Sequence, residues 1–354
     1  MSAARRGFLA RSYVPEVNLL PDETDLQLAN LLQIDPRMPW ARAGRIIGIS
    51  ATTAANRWKR LTDKGLAWIV TYPNLESQFT AFVDVDCRTE SLPTAIHQLC
   101  RNPFVVDVDE CTGERDILLC ITTPDIATLS SLIIDWIGGL EGVSGTRSSL
   151  VTDMIFGSDS WRVNSLSRQQ LREAAAGSVP ARPAGGSNDG IDIALAEALA
   201  RDGRASVASL AEQLDTPIST IQRRLTRLRA ARQITMRCDL SPELSGLLLE
   251  CTWLTTVAPN HKPRVNEFLR KETSIRSSVW TTGVNNLRFS FGVSHTRMLT
   301  SLEADIIRSL PGLAPAEILF YMRRHKSMGR ILDSDGRATD ELVVPVFSAG
   351  NGRH

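Results

Sequence analysis

The chain is written twice. Residues 25–67 align without a gap on residues 192–234. Asp25, Leu28, Leu32, Asp35 and Arg37 fall on Asp192, Leu195, Leu199, Asp202 and Arg204, and Ala54, Arg57, Trp58, Arg60 and Leu61 fall on Ile221, Arg224, Leu225, Arg227 and Leu228. Any fold that suits one copy must suit the other, so whatever surface one unit presents, the chain presents again. Two copies are too few to stack as a solenoid, which leaves duplicated domains.

Bulk composition sets the remaining bounds. With 354 residues, 43% hydrophobic and 22% charged, the chain can build roughly two to four domains with cores of their own. A net charge of +1 means that any affinity for a polyanion must come from local patches. Cys87, Cys100, Cys111, Cys120, Cys238 and Cys251 form no C-x-x-C pair and read as buried reduced thiols, which suits a cytoplasmic protein. Arg5-Arg6 resembles the start of a twin-arginine signal, but Pro15, Glu16 and Asn18 interrupt any apolar stretch after it, so no export is expected. The longest apolar runs fall well short of the ~18 residues a membrane helix needs, so no membrane partner is expected.

Changes of period mark the seams. Helical spacing gives way to strand-like alternation near Tyr72 and again near Cys238. The resulting plan is a helical head (20–72), a sheet domain (76–156), a linker (157–188), a second head (189–238), a second sheet domain (246–330) and a C-terminal tail (331–354). The linker ends in Gly177-Ser178-Val179-Pro180 and Gly185-Gly186-Ser187 and reads as a flexible tether with a reach of roughly 20 Å over its last dozen residues.

Three short helices are expected in each head. The first follows a cap at Asp22 or Thr24 and buries Leu28 and Leu32; its counterpart buries Leu195 and Leu199. A tight turn, Gly48-Ile49-Ser50 or Asp215-Thr216-Pro217, precedes the third helix, and Thr216 is expected to cap it in the second copy. Apolar residues Ala54, Trp58 and Leu61, matched by Ile221, Leu225 and Leu228, make one narrow stripe on that helix. The rest of the surface is basic and amide-rich: Thr52, Thr53, Asn56, Arg57, Lys59 and Arg60 in one copy, Ser219, Thr220, Gln222, Arg223, Arg224 and Arg227 in the other. Such side chains read base edges and phosphates of double-stranded DNA, and helix, tight turn, basic helix is helix-turn-helix geometry. Residues 68–70 and 234–236 are expected as the wing strands of a winged helix-turn-helix.

Each sheet domain reads β-α-β-β-α-β. Strands at 79–87, 104–111, 116–122 and 143–156 alternate with helices at 92–101 and 125–137; the second copy places strands at 248–257, 275–281, 286–293 and 316–322 with helices at 262–271 and 297–309. That order is the ferredoxin-like split, so the fold class is α+β with two winged heads alternating with two ferredoxin-like domains. Two helices cover one face of such a sheet, and the open face must be covered by the sister copy or by a second chain.

This order, with Ile49-Ser50-Ala51-Thr52-Thr53 leading into Asn56-Arg57-Trp58-Lys59-Arg60-Leu61 and a Gly-x-x-Asp turn at Thr112-Gly113-Glu114-Arg115-Asp116, resembles the Lrp/AsnC (feast/famine) family of bacterial and archaeal transcription regulators. The resemblance implies self-association through the sheet domains and a small effector, an amino acid or related metabolite, near that turn. Carried over position by position it points to Thr112, Gly113 and Asp116, and in the second copy to Gly283 and Asn286, where the acid has become an amide.

A search for enzymatic chemistry returns little. His97, His261, His295, His325 and His354 are scattered singly, no cluster has metal-ligand spacing, and no P-loop, G-x-S-x-G or G-x-G-x-x-G occurs. No cofactor is expected. Proteins of similar fold include sirohaem decarboxylases, and for that alternative Tyr321, Arg323, Arg324 and His325 would contact an anionic tetrapyrrole. A regulator that acts on another protein without binding DNA is a third class.

Overall fold

The computed structural model describes residues 21–176, 188–310, 313 and 316–347. Its first head is built from α1 (Glu23–Ile34), α2 (Trp40–Ile47) and α3 (Ala51–Asp63), followed by β1 (Ala67–Pro73). The first sheet domain comprises β2 (Phe79–Cys87), α4 (Leu92–Arg101), β3 (Val105–Cys111), β4 (Ile117–Thr123), α5 (Ile126–Ser131), which continues as a π-helical turn, and β5 (Val143–Phe156). After α6 (Arg168–Ala175) come α7 (Gly190–Arg201), α8 (Val207–Gln213), α9 (Ile218–Ala230) and β6 (Ile234–Leu240), the second head. The short α10 (Pro242–Ser245) leads into β7 (Leu249–Thr255), α11 (Lys262–Lys271), β8 (Ile275–Thr281), β9 (Leu287–Val293), α12 (Arg297–Ser309) and β10 (Glu317–Ser327), and the chain closes with β11 (Arg330–Leu332) and β12 (Ala338–Leu342).

The two sheet domains share one antiparallel sheet. Within the copies the strand orders are β3-β4-β2-β5 and β8-β9-β7-β10, and β5 pairs with β8 while β10 pairs with β3. Eight strands therefore close into a barrel whose two seams both join unlike copies, as two half-covered sheets do when neither has another partner. Alternation along each strand decides what faces where. Ala81, Val83 and Val85 of β2 pack under α4 and α5 with Leu99, Ile117, Leu119 and Ile121, while Thr80 and Phe82 turn into the lumen. The second half repeats this with Trp253, Phe289 and Phe291 under α11 and α12.

Three expectations are corrected. β1 and β6 are not wings folded back on their own heads. They pair with each other, Ala67 opposite Leu240 through Pro73 opposite Ile234, and form a two-stranded ribbon between the copies. Residues 157–176 are not a tether: Trp161, Val163, Leu166 and Ala174 pack on the core of the first head, and Asn30 and Gln33 accept hydrogen bonds from the backbone of Ser165 and Val163. Burial of those four apolar groups outweighs the polar composition that suggested a linker; residues 177–187, where the Gly and Pro cluster falls, lie outside the described residues. Nor is 331–347 a loose tail. β11 and β12 extend the sheet beyond β10, Ala338 donates its N–H to Gly65 of the first head, and Phe347 enters the core of the second.

Candidate nucleic-acid interface and effector turns

In the first head Asp22 caps α1, and its carboxylate accepts from the Asp25 N–H at 2.9 Å while the Asp25 side chain accepts from the Asp22 N–H at 3.1 Å, a reciprocal pair that satisfies two orphan donors. Asp25 is fully buried. It is not left uncompensated, because Arg57 reaches it at 2.9 Å and Arg60 at 2.5 Å, and Arg57 also bonds Asp22 at 2.8 Å. The second head repeats every contact: Asp189 and Asp192 form the same box at the start of α7, Arg224 bonds both at 2.8 Å, and Arg227 bonds Asp192. Burial raises the Asp22 carboxyl, but the Arg57 and backbone hydrogen bonds outweigh it and hold the group below its ordinary range; the Asp192 N–H and Arg224 do so for Asp189.

The four repeated arginines thus face inward, contrary to the sequence expectation. A helical wheel places Arg57 and Arg60 beside the apolar stripe, and a boundary position turns toward a neighbour that offers a buried carboxylate. The signal was in the alignment, since Asp25 recurs as Asp192 and Asp22 as Asp189 at the same offset as the arginines. Arg229 likewise crosses to Asp35 of the first head at 2.6 Å.

What stays exposed on α3 and α9 is smaller and differs between copies. Thr52, Thr53, Asn56 and Lys59 are exposed on α3, with Lys59 bound to Asp63 one turn on at 2.7 Å. On α9 Ser219, Gln222 and Arg223 are exposed and Thr220 is half-buried. Ser50 caps α3 by accepting from the Thr53 N–H. The second cap differs from expectation, because Pro217 itself sits at the cap with no side-chain bond and the Thr216 hydroxyl donates to the Leu214 carbonyl instead.

The heads are fixed to each other by a reciprocal exchange. Arg37 donates to the carbonyls of Gly203 and Ala205, both at 2.7 Å, and Arg204 donates to those of Pro36 and Met38 at 2.5 and 2.9 Å while stacking 3.7 Å over Trp40. Residues one offset apart trade places, the mark of a twofold interface within one chain.

The hairpin turns of the sheet domains sit at the barrel seams. Gly113 and Gly283 share a φ of +101°, which explains the glycines. Thr112 exchanges bonds with Phe320 across one seam, and Thr282 with Leu150 across the other, so Thr112 is occupied as a register pin. The exposed Asp116 spends one carboxylate oxygen on the Cys87 N–H at 2.7 Å, leaving the other as a second acceptor. Asn286 spends both amide atoms on Val257, each at 2.9 Å. The residues named for a tetrapyrrole are divided by a register shift in β10 between Tyr321 and Arg323: Tyr321 and Arg324 line the barrel lumen, whereas Arg323 and His325 line an outer cleft with His97 and Arg101. Among the described residues no His/Cys/Asp/Glu group could hold a metal ion, and no helix is long and apolar enough to cross a membrane.

Two helix-turn-helix heads joined by the β1–β6 ribbon, each followed by half of one shared barrel, define a duplicated helix-turn-helix architecture. The AsnC-type helix-turn-helix domain matches residues 22–62 and again 189–229, and the Lrp/AsnC ligand binding domain matches residues 80–160. Both heads and the first sheet domain thus match domains of the Lrp/AsnC family, the helix-turn-helix twice. It is 28% identical over 134 residues to the HTH-type transcriptional regulator FL11 of Pyrococcus furiosus, covering 37% of this chain and 88% of that protein. The identity to HTH-type transcriptional regulator Ptr1 of Methanocaldococcus jannaschii is also 28% over 134 residues, 37% of this chain and 90% of that one. Such relatives correspond to one copy. Over its whole length the chain is similar in fold to the siroheme decarboxylase NirDL, with a TM-score of 0.57, 11% identity, and coverage of 87% and 93% of the two chains.

Proposed function

We propose that this protein is a sequence-specific DNA-binding transcription regulator of the Lrp/AsnC type, with two helix-turn-helix heads on ferredoxin-like sensing domains, that acts in the cytoplasm without enzymatic activity. The observation that carries the reading is that both copies keep α3 and α9 presented by the same aspartate–arginine clamp, with polar and cationic groups left over at the helix starts. Thr52, Thr53, Asn56 and Lys59, and Ser219, Thr220, Gln222 and Arg223, are the groups assigned to DNA, with Arg57, Arg60, Arg224 and Arg227 as the residues that position them. The effector, an amino acid or related metabolite, is assigned to the Asp116 turn. Its binding favours one arrangement of the sheet domains and so one presentation of the heads. Further self-association of the fused pair matches operators with more than two half-sites.

A salt titration of binding to the DNA upstream of its own gene tests this. Affinity should fall linearly with the logarithm of salt concentration, with a slope set by the phosphates neutralised; binding absent at low salt overturns the reading. The whole-chain likeness to NirDL favours a second reading, an enzyme on the same scaffold acting at the outer cleft of about 670 Å3. There His97 and Arg101 share a hydrogen bond of 3.0 Å and His325 lies 3.5 Å from Glu110. Tight DNA binding with no spectral change on adding an iron tetrapyrrole would exclude it.

A further inference from the structure

The lumen of the barrel is not a third hydrocarbon core. A cavity of about 100 Å3 lies inside it, faced by the carboxylates of Asp107, Asp109 and Glu250 and by four arginines, Arg237, Arg276, Arg288 and Arg324. Three of the arginines are paired: Arg237 with Asp239, Arg324 with Asp109 at 2.8 Å and Glu250 at 3.0 Å, and Arg276 with Glu250 at 3.1 Å. Asp107 accepts from the Met328 N–H at 2.9 Å. Arg288 is the exception. It is 6% exposed, rests over the ring of Phe82 at 4.2 Å, and has no hydrogen-bond partner for Nε or Nη1.

A guanidinium in that position is unfavourable unless a counter-charge joins it, because it has lost its water and gained only a ring face. The Asp84 carboxylate acts on it but is already paired with Arg115 at 3.0 Å, so the arginine's charge is not balanced by its neighbours. Burial pushes the Asp109 carboxyl up to about 7, and Asp107 is raised as well, so the lumen gains positive character as these groups take up protons. Two hydroxyl pairs, Thr252 with Tyr321 at 2.7 Å and Ser277 with Ser290 at 2.6 Å, also line the space, and one hydroxyl of each pair is left to donate to an oxygen acceptor. An apolar cavity of about 150 Å3 accommodates benzene, so this one suits a ligand of about four non-hydrogen atoms.

We propose that the barrel lumen is a binding site for a small monoanion, a short carboxylate or an oxyanion of similar size, with Arg288 as the residue that holds its charge. The site is separate from the Asp116 and Asn286 turns and does not depend on the chain binding DNA. It is tested on the full-length protein by thermal denaturation and calorimetry in sodium acetate, with sodium gluconate at equal ionic strength as an anion too large to enter. Acetate should raise the melting temperature by several degrees over gluconate. Arg288→Met should abolish that increment while melting higher than the wild type in gluconate, since it removes an unpaired buried charge; a purely structural arginine would give a lower melting point instead. An acetate increment that survives in Arg288→Met, or none in the wild type, overturns the proposal. Should Arg288→Met not fold, Arg288→Lys keeps the charge but not its reach, and is expected to weaken acetate binding at least tenfold; unchanged affinity overturns it equally.

Discussion

The two heads agree where they are buried and differ where they are exposed. Asp22, Asp25, Arg57 and Arg60 recur with the same contacts as Asp189, Asp192, Arg224 and Arg227, yet Lys59 is tied to Asp63 on α3 while Arg223 on α9 is exposed and, among the described residues, in no ion pair. The second head also holds Asp215 and Arg232 at positive φ, 44° and 51°, where the first has Gly48 and Gly65 at 75° and 65°. Duplication has kept what positions the third helix and let go of what that helix shows. A repeated charged residue therefore argued for the scaffold, and the unrepeated ones are where the two helix faces differ.

The largest expected effect tests the common part. Asp25→Ala and Asp192→Ala each take a buried carboxylate from two arginines, leaving Arg57 and Arg224 only the exposed Asp22 and Asp189, and each should destabilise the protein by about 2–4 kcal/mol, somewhat below a fully buried pair because the arginine side chains keep about a fifth to a third of their exposure. Chemical denaturation of both variants checks this, and a loss under ~1 kcal/mol in either would break the equivalence of the heads. The clamps also set the response to acid. Asp22 and Asp189 titrate below their ordinary value of 3.8 in the folded chain, so their stabilisation is complete above that value and disappears as pH falls through the depressed one. Circular dichroism at falling pH should show Asp22→Asn and Asp189→Asn flattening that loss.

Next comes the contrast between the turns. Exchanging them, Asp116→Asn and Asn286→Asp, should move effector binding rather than abolish it, because a charge-assisted hydrogen bond of roughly 1.5–3 kcal/mol travels with the carboxylate. Calorimetry with a panel of amino acids reads the outcome; a stoichiometry of two in the wild type would mean that the turns are equal after all. For DNA, Arg223→Ala should weaken operator binding by roughly 1–3 kcal/mol if it meets a base and by less at a phosphate, with Lys59→Ala weaker because Asp63 already offsets its charge. Fluorescence anisotropy at several salt concentrations separates the two cases, and equal losses would remove the ranking of the heads. The smallest effect is on the backbone: Arg232→Gly should stabilise the second head by about 0.5–1 kcal/mol by relieving a left-handed residue. Gly65→Ala should do the reverse in the first head, where a Cβ would meet the Ala338 carbonyl at 2.3 Å.

Much of this was legible in the residues. Local period and turn chemistry placed the three-helix heads and the order of strands and helices, because those depend on neighbours a few positions apart. Pairings between distant segments carry no such spacing, so the β1–β6 ribbon, the two seams and the seating of 331–347 could not be read. Arg57, Arg60, Arg224 and Arg227 were misjudged for a related reason: position on a wheel says which side of a helix a residue leaves from, not whether a carboxylate waits there. Asp25, an acid inside an otherwise apolar pattern and repeated as Asp192, was the available clue.

The C-terminal segment has no counterpart after the first copy. It passes Gly65 on one head and places Phe347 in the core of the other, so the molecule has a left and a right. A symmetric homodimer reads a palindrome equally well from either end. This chain, with unlike helix faces and one asymmetric strap, would sit on its operator in a single orientation, and the sequence it recognises would point toward one of the two flanking genes.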